Sequence, residues 1–475
     1  MTLKLGSRLR WSGSLVALAL MLASAAASAQ TPPPDQPLPG EPPAPSPAPA
    51  VTAPPAPESG PTLEGERFPY MGKTHEIMVG KDTWFRFGLQ AQVWYDALQG
   101  NVPFANGDDG GYTHQMFIRR ARLIVASQLM KNVSIWFQFD APRIGGALSN
   151  AGVTVNPDGT ATATSSIGKR FNAQDGGGEL LQDAWAEIKL AGDAFMLEVG
   201  LMVIPFGRNE LQSTTTFLTL DIGNTSALVP NTSGTRDVGF ELKGYLLDDH
   251  LEYRAGIFSG ARQAASAADQ HALGHNFFRL TGLLQYDLFD VEKGYVYAGH
   301  NFGKKKILAI TGGFDFQDND STTNAMGTKV DPEAYWAASG SIAGSWPLSG
   351  EASKTGGDEV SFVLQYYHYQ GGGTAPTLLK QNDFLGEVAY YNKDASFSIF
   401  GKFEYQKFSD DVVVAGVSGP NPNNTYWVGG GIKYYIWENF CNFTVAFNRQ
   451  QFPDASSTQH NGANEFTFQT QVFYY

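Results

Sequence analysis

The chain has a single cysteine, Cys441, in 475 residues. That excludes an internal disulfide and a cysteine-based zinc site. Beyond the N-terminus it has no apolar run of the ~18 residues that a membrane-crossing helix needs. Basic residues are in deficit, with 33 Lys and Arg against 46 Asp and Glu and a formal charge of −13. Such a balance excludes nucleic acid as a partner; taken alone, it describes a solvated exterior. Catalytic signatures are missing too: there is neither a G-x-S-x-G elbow nor an H-E-x-x-H pair. The eight histidines are scattered. His271 and His275 are four apart, but they sit in a connection where helical register does not apply. The expectation is a protein that is not an enzyme and carries no cofactor or metal.

The first residues read as an export leader. Lys4, Arg8 and Arg10 precede an apolar stretch from Leu15 to Leu22, and Ala27-Ser28-Ala29 forms a small-residue cleavage site. Cleavage after residue 29 removes those three positive charges and takes −13 to −16. Residues 30–65 follow, with more than half of the 26 prolines. A segment of this composition cannot fill a core and reads as an extended, disordered linker.

From Trp84 onward the sequence alternates. In 133–140, Val133, Ile135, Phe137 and Phe139 share one face, while Ser134, Trp136, Gln138 and Asp140 share the other. A period of two is the mark of a strand with one apolar and one polar face. The stretch 116–140 is a hairpin broken at Lys131-Asn132, with Arg120 and Arg122 in the polar phase and Arg119 out of phase. An out-of-phase arginine is expected to snorkel to a membrane interface. Similar amphipathic segments recur to the end of the chain at 307–317, 335–348, 360–369, 384–392, 397–406, 426–436, 443–450 and 465–475, among others. About sixteen strands result, each near the ten residues that cross a bilayer at a tilt. Short connections (130–132, 191–194, 247–250, 393–395) alternate with long ones (141–180, 205–235, 259–276, 318–334, 371–383, 409–425). That alternation predicts an all-β transmembrane antiparallel barrel, residues 66–475, with short periplasmic turns and long extracellular loops. A soluble β-sandwich also alternates, but long strands, aromatic-rich apolar faces and the lack of an internal linker favour the barrel.

Several stretches carry a family resemblance. RRARL at 119–123, LQDAWAEIK at 181–189, VGLMVIPFGRNE at 199–210, VGFELKG at 238–244, GIFSG at 256–260 and the terminal EFTFQTQVFYY resemble the phosphate-selective porin O and P family in order. The resemblance implies a sixteen-stranded outer-membrane barrel, usually a homotrimer in outer-membrane lipid, that passes small anions. It further implies that the third extracellular loop, 205–235, folds inward to form the constriction.

Selectivity in such a pore comes from charges at its narrowest point, and guanidinium groups suit phosphate. The polar phase supplies Arg86, Arg120, Arg122, Lys243, Arg254 and Arg279, while the inward loop adds Arg208 and Arg236 stands at its end. These are the candidate pore-lining, anion-contact residues. The same phase supplies at least as many acids, among them Asp140, Asp183, Glu198, Asp237, Glu252, Asp315, Glu387 and Glu404. A cross-strand ion ladder is therefore the competing reading for each arginine. The functional expectation is a passive porin for small hydrophilic solutes, with a preference for anions such as phosphate. Its alternative is a plugged barrel that anchors the envelope, touching the cell wall or a periplasmic partner through residues 31–62.

Overall fold

The computed structural model describes residues 77–99, 111–141, 152–155, 161–164, 181–226, 228–229, 235–260, 277–318, 322–323, 329–330, 334–372, 378–409, 412–414, 417–421, 423–454 and 462–475. The leader 1–29 and the proline-rich 30–65 lie outside them. The described residues all fall within one compact unit, Pro61–Tyr475.

Sixteen long strands make up the wall. The first eight are β1 (Trp84–Gln99), β2 (Tyr112–Met130), β3 (Val133–Asp140), β4 (Leu181–Lys189), β5 (Met196–Val203), β6 (Arg236–Leu246), β7 (Leu251–Phe258) and β8 (Arg279–Asp287). The second eight are β9 (Ile307–Gln317), β10 (Tyr335–Pro347), β11 (Glu359–Gln370), β12 (Gln381–Asn392), β13 (Phe397–Phe408), β14 (Thr425–Trp437), β15 (Cys441–Gln451) and β16 (Gly462–Tyr474). Each pairs antiparallel with its sequence neighbours, and β1 also pairs with β16, from Leu89 opposite Tyr474 to Leu98 opposite Glu465. The sheet is thereby a closed barrel without edges, which a bilayer demands because exposed backbone polar groups cannot be satisfied by lipid. Among the described residues there is no helix.

The pleat assigns the faces. On β6, Val238 and Phe240 point out and are more than half exposed, while Asp237 and Glu241 point in and are buried. On β12, Phe384 and Val388 point out, and Asp383 and Glu387 point in. Oily side chains outside and buried charges inside invert the arrangement of a soluble domain and match a barrel in lipid. A lysine in place of Leu364, which points out from β11, would face hydrocarbon at a cost of roughly 2–4 kcal/mol near the midplane.

Two features depart from the sequence reading. Between β1 and β2 the register runs Gln92 opposite Arg120 and then Val93 opposite Ile118, so Arg119 is an extra residue in a β-bulge. It does not snorkel outward: it is 2 % exposed and lies inside the barrel. The bulge lets adjacent arginines face the same side, which simple alternation forbids. The second departure is the connection 288–306. It joins β8 to β9 on the short-turn side, yet it is long and turns inward, burying Glu292, Tyr295, Tyr297, His300 and Phe302.

Candidate functional site

Nearly every lumen-facing side chain of the wall is buried, because two segments occupy the interior. One is the loop 205–235, described at 205–226, 228–229 and 235, and the other is 288–306. They meet inside the barrel. The Tyr297 amide donates to the Leu211 carbonyl at 2.7 Å, and the Ser213 amide donates to the Tyr297 carbonyl at 2.9 Å. The Gly299 amide donates to Thr216 Oγ1 at 3.1 Å. A Cβ on Gly299 would lie 2.1 Å from the Thr216 carbonyl oxygen, so only glycine permits this approach. Gly313 does the same on the wall: a Cβ there would lie 1.9 Å from the Phe206 carbonyl.

Asp221 is the loop's main electrostatic anchor. Its Oδ2 accepts from Arg119 Nε at 3.1 Å and Nη2 at 2.6 Å, and its Oδ1 accepts from Arg120 Nη2 at 2.6 Å. Burial alone would raise its pKa, but the two guanidinium groups outweigh burial and hold the carboxyl far below the usual range. Farther along, the Thr225 amide donates to Glu404 at 2.9 Å and Thr219 Oγ1 to Glu387 at 2.6 Å. Lys433 Nζ donates to the Phe217 carbonyl at 2.7 Å. The loop thus spans the lumen from β2 to β12–β14.

Glu210 faces the opposite balance. It is buried, accepts from the Tyr367 hydroxyl at 2.9 Å and has no cation against it among its described contacts. Burial pushes its pKa up to about 8, although hydrogen bonds from the backbone and from Tyr367 oppose the shift.

The structure gives each candidate cation an internal partner. Arg120 holds Asp221 and also donates to Gln92 at 2.7 Å. Arg122 holds Asp140 at 2.8 Å and donates to Thr214 at 2.6 Å. Arg208 joins Glu292 at 2.6 Å, tying the two inward segments together, and burial, which would lower its pKa, is outweighed by Glu292 so that the guanidinium is held more firmly charged. Arg236 reaches Asp183 at 3.3 Å, Arg254 reaches Glu252 at 2.7 Å, and Arg279 lies between Asp237 and Asp315 at 3.2 Å each. Lys243 lies 3.4 Å from Glu198 and donates to the Gly294 carbonyl at 2.7 Å. Arg86 packs over the Trp84 and Tyr475 rings, at 5.4 and 5.1 Å. The eight therefore do not converge on one open point: Arg120, Arg122, Arg208, Lys243 and Arg254 contact the inward segments, Arg236 and Arg279 pair across the wall, and Arg86 packs on aromatic rings.

Sequence reasoning missed Arg119 and the whole 288–306 segment. Arg119 was visible only as a break in phase. The segment announced itself only by its length on the side where turns are otherwise short.

The sequence profile of the family described as phosphate-selective porin O and P matches residues 87–373. No curated protein matches the sequence. Among solved structures, the outer-membrane channel DcaP of Acinetobacter baumannii aligns with a TM-score of 0.47 at 8 % identity, covering 84 % of this chain and 100 % of that one. OmpT of Vibrio cholerae, an outer-membrane protein, aligns with a TM-score of 0.44 at 10 % identity, covering 84 % of this chain and 100 % of that one. The profile spans more than half of the chain, from β1 through β11 and both inward segments, so this protein belongs to the phosphate-selective porin O and P family of outer-membrane porins.

Proposed function

We propose that the protein is a passive diffusion porin, and not an enzyme, whose constriction is built by 205–235 docked on 288–306. The observation that carries this reading is the shared backbone pairing of the two segments at Leu211, Ser213 and Tyr297 inside a closed barrel. Solutes pass down their gradient through the space that these segments leave against the wall. Anion preference is weak in this reading, because the guanidinium groups that would attract phosphate are neutralised by carboxylates at hydrogen-bond distance. Within the same reading, residues 1–29 are removed on export, 30–65 is a spacer, and three copies assemble in outer-membrane lipid.

Purified protein in a planar bilayer is expected to give stepwise ohmic conductance. A salt gradient is expected to give a reversal potential near zero, and inorganic phosphate is expected to block chloride current only weakly. Strong block at low phosphate would instead restore the anion-selective site at Arg120, Arg122, Arg208, Arg236, Arg86, Arg254, Arg279 and Lys243. The dense packing of the lumen favours a second reading, a plugged barrel serving as an envelope anchor through 31–62. Absence of conductance, with envelope attachment lost on deletion of 31–62, would establish that reading in place of the first.

A further inference from the structure

The loop 205–235 has a neck where its outgoing and returning arms lie against β10 and β11, and one wall residue touches both arms. The Tyr367 hydroxyl lies 2.9 Å from Glu210 Oε2 on the outgoing arm and 2.9 Å from Ser226 Oγ on the returning arm. Beside this contact, the Gly223 amide donates to Asn209 Oδ1 at 2.9 Å, and the Tyr369 hydroxyl donates to the Thr225 carbonyl at 2.9 Å. Asp221, farther along the loop, is held by two arginines. The neck has a carboxyl of its own, held by a phenol instead.

Glu210 is 4 % exposed, and its Oε1 has no hydrogen-bond partner. The ionisable groups that face it are the phenols of Tyr335 on β10 and of Tyr367 and Tyr369 on β11. Behind the phenols stand further acids, Asp315 on β9, Asp383 on β12 and Glu404 on β13. Arg208, two residues along the loop, is paired with Glu292, and the cations beside those acids are paired too, Arg279 with Asp315 and Lys402 with Glu404. Both contacts of Tyr367 survive ionisation of Glu210, since Ser226 can donate to the phenol and the phenol to the carboxylate. What loss of the proton adds is a buried charge with no counter-ion, which is far more costly than a buried neutral acid. That cost is relieved when the neck opens and water reaches the carboxylate.

We propose that Glu210, Tyr367 and Ser226 form a proton-operated clasp: with the proton the neck of the loop is closed, and without it the neck opens and the path between loop and wall widens. The effect on conduction rests on the porin reading, but opening of the neck can be measured apart from conduction. Burial lifts the closed-state pKa of Glu210 from its ordinary 4.5 to about 8, so across that interval the closed neck holds a proton that the open neck gives up. The ratio of open to closed necks is therefore expected to climb by up to ~10-fold per pH unit across the interval and to level off above it.

The test compares the full chain with Glu210→Gln between about pH 5 and pH 9. In a planar bilayer, the conductance of the parent protein is expected to rise reversibly with pH and then flatten, and Glu210→Gln is expected to lack that rise. In detergent, hydrogen–deuterium exchange of the amides in 205–226 is expected to match in the two proteins at about pH 5 and to be faster in the parent at about pH 8. Comparing the proteins at the same pH removes the intrinsic pH dependence of exchange. Tyr367→Phe, which takes away the bridging hydroxyl, is expected to speed exchange in both arms already at the acid end. Circular dichroism checks that each variant keeps the barrel. Profiles of parent and Glu210→Gln that coincide at every pH, in conductance or in exchange, would overturn the proposal. An exchange difference in a protein that conducts at no pH would sustain the clasp and defeat the porin reading alone.

Discussion

The loop 205–235 enters the barrel from the long-loop side and 288–306 from the short-turn side, and the wall holds them with different groups. The loop is held through charged and polar side chains as well as its main chain: Asp221 by Arg119 and Arg120, Thr219 by Glu387, and the Phe217 and Asp221 carbonyls by Lys433 and Lys402. The opposing segment is held largely through its main chain. Lys243 and Arg254 both donate to the Gly294 carbonyl, at 2.7 and 3.0 Å, and Arg254 also donates to the Tyr295 carbonyl at 3.1 Å. A side-chain anchor is specified residue by residue and can be removed by one substitution. A main-chain anchor tolerates substitution in the segment itself and depends on the wall and on the space that glycine leaves.

Asp221→Ala should break the side-chain anchor and have the largest effect. It leaves two buried guanidinium groups without their carboxylate, a loss of about 3–5 kcal/mol. The shift should appear in thermal unfolding followed by electrophoretic mobility, with higher conductance as the loop loosens. Because the folded-state pKa of Asp221 is depressed, its contribution is present above the ordinary carboxylate range and disappears only in strong acid. Gly299→Ala should strike the main-chain contact between the segments. The added methyl meets the Thr216 carbonyl and should cost roughly 1–3 kcal/mol; unchanged stability and conductance would show that the two segments do not depend on each other.

Glu210 sharpens the contrast through pH. Its pKa rises from 4.5 to about 8, so the folded protein favours the neutral acid and stability falls as pH rises through that interval. Glu210→Gln should remove that fall and raise stability above pH 8 by roughly 1–2 kcal/mol, read as a flatter melting temperature against pH. The smallest effect is expected at the barrel's exposed end. Lys304 pairs with Glu438 at 2.5 Å with both side chains more than a third exposed, so Lys304→Ala should change stability by less than about 1 kcal/mol. A large loss there would mean that the short-turn rim is more rigid than its exposure implies.

The wall was legible in the sequence because its physics is periodic. The stretch 307–317 is a strand with the bounds that alternation predicts, and the break at Lys131-Asn132 is the turn between β2 and β3. Arg119 was misplaced because a bulge adds one residue and shifts the phase without leaving a compositional mark. The segment 288–306 was illegible because irregular backbone has no period, and its anchors, Lys243 and Arg254, lie far away in sequence. The polar phase correctly grouped Arg120, Arg122 and Arg279 with acids. What periodicity could not give is which acid each would meet, since Asp221 comes from a loop, Asp140 from the neighbouring strand and Asp237 from the next strand but one.

The bulge in β2 also makes one residue of the strand dispensable to its pleat. With Arg119 deleted, Ile118 and Arg120 would become consecutive and strict alternation would return with every remaining side chain on its present face. Phe117, Arg120 and Arg122 would still point to the lumen, and Met116 and Ile118 to lipid. A loss of three nucleotides there would thus act on charge alone, taking away one of the two guanidinium groups on Asp221 while the wall keeps its pattern.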